Sequence, residues 1–150
     1  MRWLRNWGPV LAWAGCIWLL STDHFSSAAT GRVIGPVLSW LFPSASEETL
    51  KLLHALIRKA AHLVEYFVFS LLVFRGIRGD RRGWRLSWSL ETVFLAAIYA
   101  TLDEIHQAFE SDRTSSMYDS LLDTAGAAAA QLLLSAFAWR QTRRQVRSAA

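Results

Sequence analysis

Four stretches of the chain are almost free of charge, and polar residues crowd between them. Asn6 to Thr22 carries no charged residue. Ala60 to Phe74 is interrupted by His62 and Glu65, Leu86 to Leu102 by Glu91, and Ser120 to Trp139 by Asp123. A helix that crosses a bilayer needs roughly 20 mostly apolar residues, within a range near 17–25. The first, third and fourth stretches reach that length, the first and third at its short end. The second reaches it only if His62 and Glu65 lie in the membrane or at its interface. "LAAIYATL" and "AAAAQLLLSAFAW" show no polar face at helical period. A soluble bundle would leave these helices without a water side. The pattern predicts an all-α polytopic membrane protein. It places four transmembrane helices at about 6–22, 60–75, 86–104 and 119–139, in a single domain of residues 1–150.

The segment before the second span has its own period. Pro43 opens it, and Ser44 and Glu47 have the spacing of a capping box. Apolar residues recur at Leu50, Leu53, Ile57 and Ala60, with Leu52 and Leu56 alongside. This predicts an amphipathic helix at about 45–60. Such a helix lies on the membrane or leads directly into the second span. Its polar stripe is Lys51, His54, Arg58, His62 and Glu65. Lys51 and His54 read as a solvated face. His62 and Glu65 do not, because they sit inside the next apolar run.

Composition supports a membrane protein. The chain is 53% hydrophobic and 19% charged. Soluble domains carry more charge, about a quarter of their residues. Cys16 is the single cysteine, so no internal disulfide can form. Arg2 and Arg5 before "VLAWAGCIWLL" also resemble the start of a signal peptide. The small residues of "SSAAT" lie several positions past that run, and retention is the expectation.

The net charge of +4 is placed as a topology signal. Eleven basic residues flank one side of the spans: Arg2 and Arg5, then the arginines from Arg75 to Arg85, then those from Arg140 to Arg147. Five lie on the other side, namely Arg32, Lys51, Arg58, Lys59 and Arg113. Short loops rich in Lys and Arg stay inside. Both termini are therefore expected in the cytoplasm, with the chain multi-pass in the cell inner (cytoplasmic) membrane. The same distribution argues against a nucleic-acid footprint and allows contact with anionic lipid.

With that orientation the ionisable groups converge. Lys59, His62, Glu65 and Tyr66 fall at the outer end of the second span, and Asp103, Glu104 and Gln107 at the outer end of the third. Asp119 and Asp123 fall at the outer end of the fourth, and the first exits at Asp23 and His24. On helices, Asp103 and Gln107 share a face, with Glu104 about 100° round. Asp119, Asp123 and Gly126 form a stripe continued by Ala127 and Ala130. Small residues of this kind permit close helix contact. Ionisable groups inside a membrane face the bundle interior and mark functional sites. The sequence thus predicts one shared, outward-facing polar site. Glu91 stands apart near the inner interface, with Arg85 as its expected partner.

Three blocks of this site resemble the VanZ-like family of small bacterial membrane proteins. "KAAHLVEY" is similar to its Lys-x-x-His-x-x-x-Tyr at Lys59, His62 and Tyr66, and "DEIHQ" to its Asp-Glu-x-x-Gln at Asp103, Glu104 and Gln107. Arg113 followed by "DSLLDTAG" resembles its Arg, then Asp-x-x-x-Asn-x-x-Gly, at Arg113, Asp119 and Gly126. Asp123 departs from the pattern, where the family commonly has Asn. The resemblance implies a four-helix membrane protein, and an association with low-level resistance to the glycopeptide teicoplanin. It implies no reaction, since the family's molecular activity is not established.

Three functions fit these residues. The first is a module that binds or handles a lipid, a lipid-linked wall precursor or a lipophilic glycopeptide, with Arg113, Lys59 and His62 against phosphate or carboxylate. The second is an intramembrane enzyme acting on a lipid head group. There His62, Glu65, Asp103, Glu104, Asp119 and Asp123 would hold a divalent metal, since hard cations take carboxylates. No cofactor motif and no HExxH, GxSxG or Cys/His nucleophile pattern names a catalytic residue. The third is a small proton-coupled transporter. A chain this short would need a homo-oligomer to form a path.

Overall fold

A computed structural model of the chain describes residues 1–110 and 117–149, with side chains to Gln145. Among them five α-helices form and no strand does. They are α1 (Arg2–Leu20), α2 (Ser27–Leu41), α3 (Glu47–Arg78), α4 (Leu86–Gln107) and α5 (Met117–Ala149), with a 3₁₀ turn at Asp23–Phe25.

Helix α3 joins the amphipathic segment and the second span into one 32-residue rod. It starts two residues later than the capping box predicts. Ser46, not Ser44, is the N-cap, and its Oγ accepts from the Thr49 amide at 3.2 Å. Glu47 and Glu48 then sit in the first turn and Arg75 and Arg78 in the last. Each complements the helix dipole. Gly79 ends the helix with a φ of 58°. Side chains disfavour that conformation, and glycine does not.

Helix α2 has no counterpart in the sequence expectation. Despite Gly31, Gly35 and Pro36 the segment is helical, and Ser26 caps it through the Ala29 amide at 3.3 Å. It leans on α3, where Thr30 Oγ1 meets His54 Nε2 at 3.1 Å and Gly31 packs beside the imidazole.

Helices α3, α4 and α5 pack together around Tyr66, Phe69, Val73, Ala96, Ala100 and Ala127. Helix α1 adds Val10 and Ile17 to that core. Trp13 Nε1 donates to the Glu65 carbonyl at 3.0 Å, and Tyr99 hydroxyl donates to the Ala14 carbonyl at 2.6 Å. Pro9 lies inside α1 and cannot donate to the carbonyl four residues back. That carbonyl, of Arg5, accepts from the Arg75 guanidinium at 3.2 Å instead. Arg5 also pairs with Asp80. These contacts gather the N-terminus of α1 and the C-terminus of α3 at an arginine-rich end of the bundle.

Arg85 lies over the Trp88 ring at 5.2 Å, beside Arg81 at 4.5 Å, and makes no ion pair with Glu91. The expected Glu91 partnership does not form, because an indole face next to the loop offers the guanidinium a nearer apolar seat.

The outer surface is apolar. Val64, Phe94, Leu121, Leu132 and Phe137 are each more than half exposed, on helices spread around the bundle. Soluble monomers rarely show such continuous apolar surface. Helices α3 and α5 are long and apolar enough to cross a membrane, and only 33% and 28% of their apolar windows are buried. A soluble core helix would be mostly buried, so the protein is a membrane protein. By the same measure α1 and α4 fall short, so two candidate spans stand among the described residues where four are expected. Repeated Trp with Arg2, Arg5 and Asn6 dilutes α1, and Glu91, Asp103 and Glu104 dilute α4.

Candidate functional site

Helices α3 and α5 run parallel, and small residues set their distance. A methyl group on Gly126 would lie 2.5 Å from the Leu63 carbonyl oxygen. This contact aligns the polar stripes of the two helices into rungs. At the rim Lys59 Nζ stands 3.8 Å from Asp119 Oδ1, with side chains 60% and 41% exposed. One turn deeper His62 Nδ1 stands 3.7 Å from Asp123 Oδ1, at 24% and 3% exposed. That gap is longer than a hydrogen bond, and both atoms are buried without a hydrogen-bond partner.

Helix α4 closes the third side. Asp103 and Gln107, one turn apart on α4, are both buried. Gln107 Nε2 donates to Asp103 Oδ2 at 3.1 Å and to Ser21 Oγ at 3.4 Å. Asp103 Oδ1 has no partner, and neither has the hydroxyl of Tyr66, which is fully buried. Asp103 and Asp123 both lie within electrostatic reach of His62 and of the Tyr66 hydroxyl. Buried polar atoms nearly always find partners. Here four of them, from three helices, do not: His62 Nδ1, Tyr66 hydroxyl, Asp103 Oδ1 and Asp123 Oδ1.

The structure therefore brings together Lys59, His62, Tyr66, Asp103, Gln107, Asp119 and Asp123, with Gly126 as the contact that spaces them. Glu65 on α3 and Glu104 on α4 are both partly buried, and each is engaged in an interaction. Arg113 lies outside the described residues. Among the described residues no three His, Cys, Asp or Glu side chains are arranged to hold a metal ion.

Neutral polar residues missed in the sequence complete the picture. Ser21 supports Gln107. Ser70 Oγ donates to the Ala127 carbonyl at 2.9 Å, and Gln131 Nε2 donates to Ser70 Oγ at 2.8 Å, deeper between α3 and α5. Their signal was spacing: Ser70 is one turn past Tyr66, and Gln131 two turns past Asp123. His106 turns away from the site to stack on Trp18, with ring centroids 3.8 Å apart. Glu110 then accepts from the Asp23 amide at 3.1 Å and ties the end of α1 to α4.

Such a site can accept hydrogen bonds from a guest with hydroxyl, amide or ammonium groups, while Lys59 offers positive charge at the rim. No curated protein and no solved structure matches the chain. The model of the VanZ/LLP1 family matches residues 7–138, a span that takes in every residue of the site. The chain belongs to the VanZ/LLP1 family.

Proposed function

We propose that the polar cluster is an outward-facing intramembrane site that binds the head group of a lipid, a lipid-linked wall precursor or a lipophilic glycopeptide. The observation that carries this reading is the pair of carboxylates of Asp103 and Asp123. They are 1% and 2% exposed, and each keeps one oxygen without a partner. Helix association alone gives about 0.6–2 kcal/mol per polar contact. A charge deep in the membrane costs at least ~2.5 kcal/mol. Glue would not leave acceptors unused at that cost.

The phosphate of a lipid-linked precursor suits Lys59 at the rim, with His62 one turn below it. Its sugar or amide donors suit Asp103, Asp123 and Tyr66 further in. A glycopeptide offers the same amide and hydroxyl donors, in keeping with the resistance association of the family.

The site faces outward if α1, α3, α4 and α5 all span and both termini are cytoplasmic, as the arginine count implies. A reporter fused after Arg144 should then read cytoplasmic, and one placed between Ser26 and Leu41 extracytoplasmic. An extracytoplasmic signal after Arg144 would overturn the orientation.

The binding test is thermal unfolding of the purified protein in detergent with isoprenoid phosphate lipid, lipid-linked precursor or teicoplanin added. Parallel samples take Mg²⁺, Mn²⁺, Zn²⁺ or EDTA. A ligand that binds the folded state raises its apparent stability, by about 2.7 kcal/mol at a hundred times Kd. We expect a shift with a head-group ligand that is lost in Asp103→Asn. A shift with metal alone, lost in the same variant, would replace this reading with a metal-dependent enzyme.

A further inference from the structure

At the arginine-rich end, α3 and α5 part. The Gly126 contact and the Ser70–Gln131 hydrogen bonds hold them together above. Beyond Phe74 and Leu134 a cleft of about 1000 Å³ lies between them, floored by Gly83 and Trp84 of the α3–α4 loop.

The cleft is graded along its length. Its apolar lining is Phe74, Leu134 and Phe137, and Arg78, Gln141 and Thr142 line it toward the end of α3 and along the next turns of α5. The α5 wall runs from Leu134 to Gln145. At the rise of an α-helix that is roughly 16 Å, of which the apolar part from Leu134 to Trp139 is about 8 Å, room for part of an acyl chain. Arg78 is the unexplained group. Its side chain lines the cleft, its Nε is buried without a hydrogen-bond partner, and no ion pair reaches it among the described residues. Asp80, the nearest acid along the chain, is paired with Arg5. Arg143 adds positive charge near the mouth, stacked on Trp139 at 3.9 Å. A guanidinium donor withdrawn from water without an acceptor is costly. An apolar slot ending in such a donor is complementary to a molecule with the opposite halves.

We propose that this cleft binds one acidic phospholipid, with its phosphate on Arg78 and an acyl chain along Phe74, Leu134 and Phe137. The site is separate from the polar cluster and does not depend on its function. Guanidinium pairs with phosphate through parallel hydrogen bonds, and each basic group near an anionic leaflet adds to lipid attraction. Arg78 differs from the exposed Arg75, Arg81 and Arg82 in being partly buried along the cleft.

The test uses the full chain, purified and delipidated in mild detergent. Native mass spectrometry counts lipid adducts with phosphatidylglycerol or with phosphatidylcholine of the same chains. The first phosphatidylglycerol should bind about tenfold tighter than phosphatidylcholine. Arg78→Gln should remove that preference, and Ala138→Trp, which fills the slot, should abolish the adduct. The exposed Arg140→Gln should keep both. Glycerol phosphate without acyl chains should not compete. Equal binding of the two lipids, equal loss in Arg78→Gln and Arg140→Gln, or adducts unchanged in Ala138→Trp would each overturn the proposal. Competition by glycerol phosphate would reassign the cleft to a soluble phosphate. A dimer of the delipidated chain that Ala138→Trp abolishes would reassign it to a second copy.

Discussion

Gly126→Ala should destabilise the protein by about 2 kcal/mol, and Gly126→Val by more. Alanine is the better helix former by about 1 kcal/mol, so the loss must come from the interface. The new Cβ would meet the Leu63 carbonyl oxygen at 2.5 Å and the Leu63 carbonyl carbon and Cα at 3.2 Å. These are backbone atoms inside a continuous 32-residue helix, and no rotamer change can move them. One helix must shift away from the other, at the cost of packing around Tyr66, Ser70 and Ala127. Gly15→Ala is the control, because nothing lies within 4 Å of a methyl group there. It should be neutral or mildly stabilising. Unfolding in mixed detergent micelles measures both. A Gly126→Ala protein as stable as the parent would mean that α3 and α5 do not meet at Leu63. The same shift would widen the Lys59–Asp119 and His62–Asp123 gaps, now 3.8 and 3.7 Å, so binding should fall with stability.

That dependence shows what was legible in the sequence and what was not. A charge inside an apolar run is hard to mistake, so His62, Asp103 and Asp123 could be found without a structure. Helical period put Asp103 with Gln107 and Asp119 with Asp123. The register between helices could not be read, because it rests on one glycine meeting one carbonyl. Helix α2 was missed because the stretch before Pro43 is short, carries Gly31, Gly35 and Pro36 and has no charged face, so nothing in it stood out beside the amphipathic segment that follows. In a helix laid against α3, Gly31 faces the His54 ring at ordinary contact distance. Ser46 displaced Ser44 as the cap because the choice depends on where the chain turns after Pro43, a tertiary matter. Ser70 and Gln131 escaped because a search for charge passes over neutral side chains, although an unpaired amide in a membrane interior also needs a partner.

Asp103→Asn should weaken head-group binding by at least about tenfold while changing stability by less than about 1 kcal/mol. Asparagine has nearly the same shape and can still accept from Gln107, so the link through Gln107 to Ser21 survives. What is lost is the charge and the acceptor strength of the free oxygen. Asp123→Asn should be tolerated better. The resemblance puts Asn there in relatives, and the His62 partner stands 3.7 Å off rather than at hydrogen-bond distance. Asp103→Leu separates function from structure. Removing a buried carboxylate that keeps one oxygen unsatisfied relieves a desolvation cost, which offsets the loss of the hydrogen bond it accepts from Gln107. A binding residue should therefore lose its ligand on this change and leave the fold as stable or more so, as expected where a site is kept at the expense of stability. A structural carboxylate should do the reverse, costing about 0.6–2 kcal/mol with binding intact. Ligand-dependent and ligand-free unfolding of Asp103→Leu measures both quantities on one sample. Preserved binding with lost stability would leave the cluster of His62, Tyr66, Asp103 and Asp123 as helix packing alone.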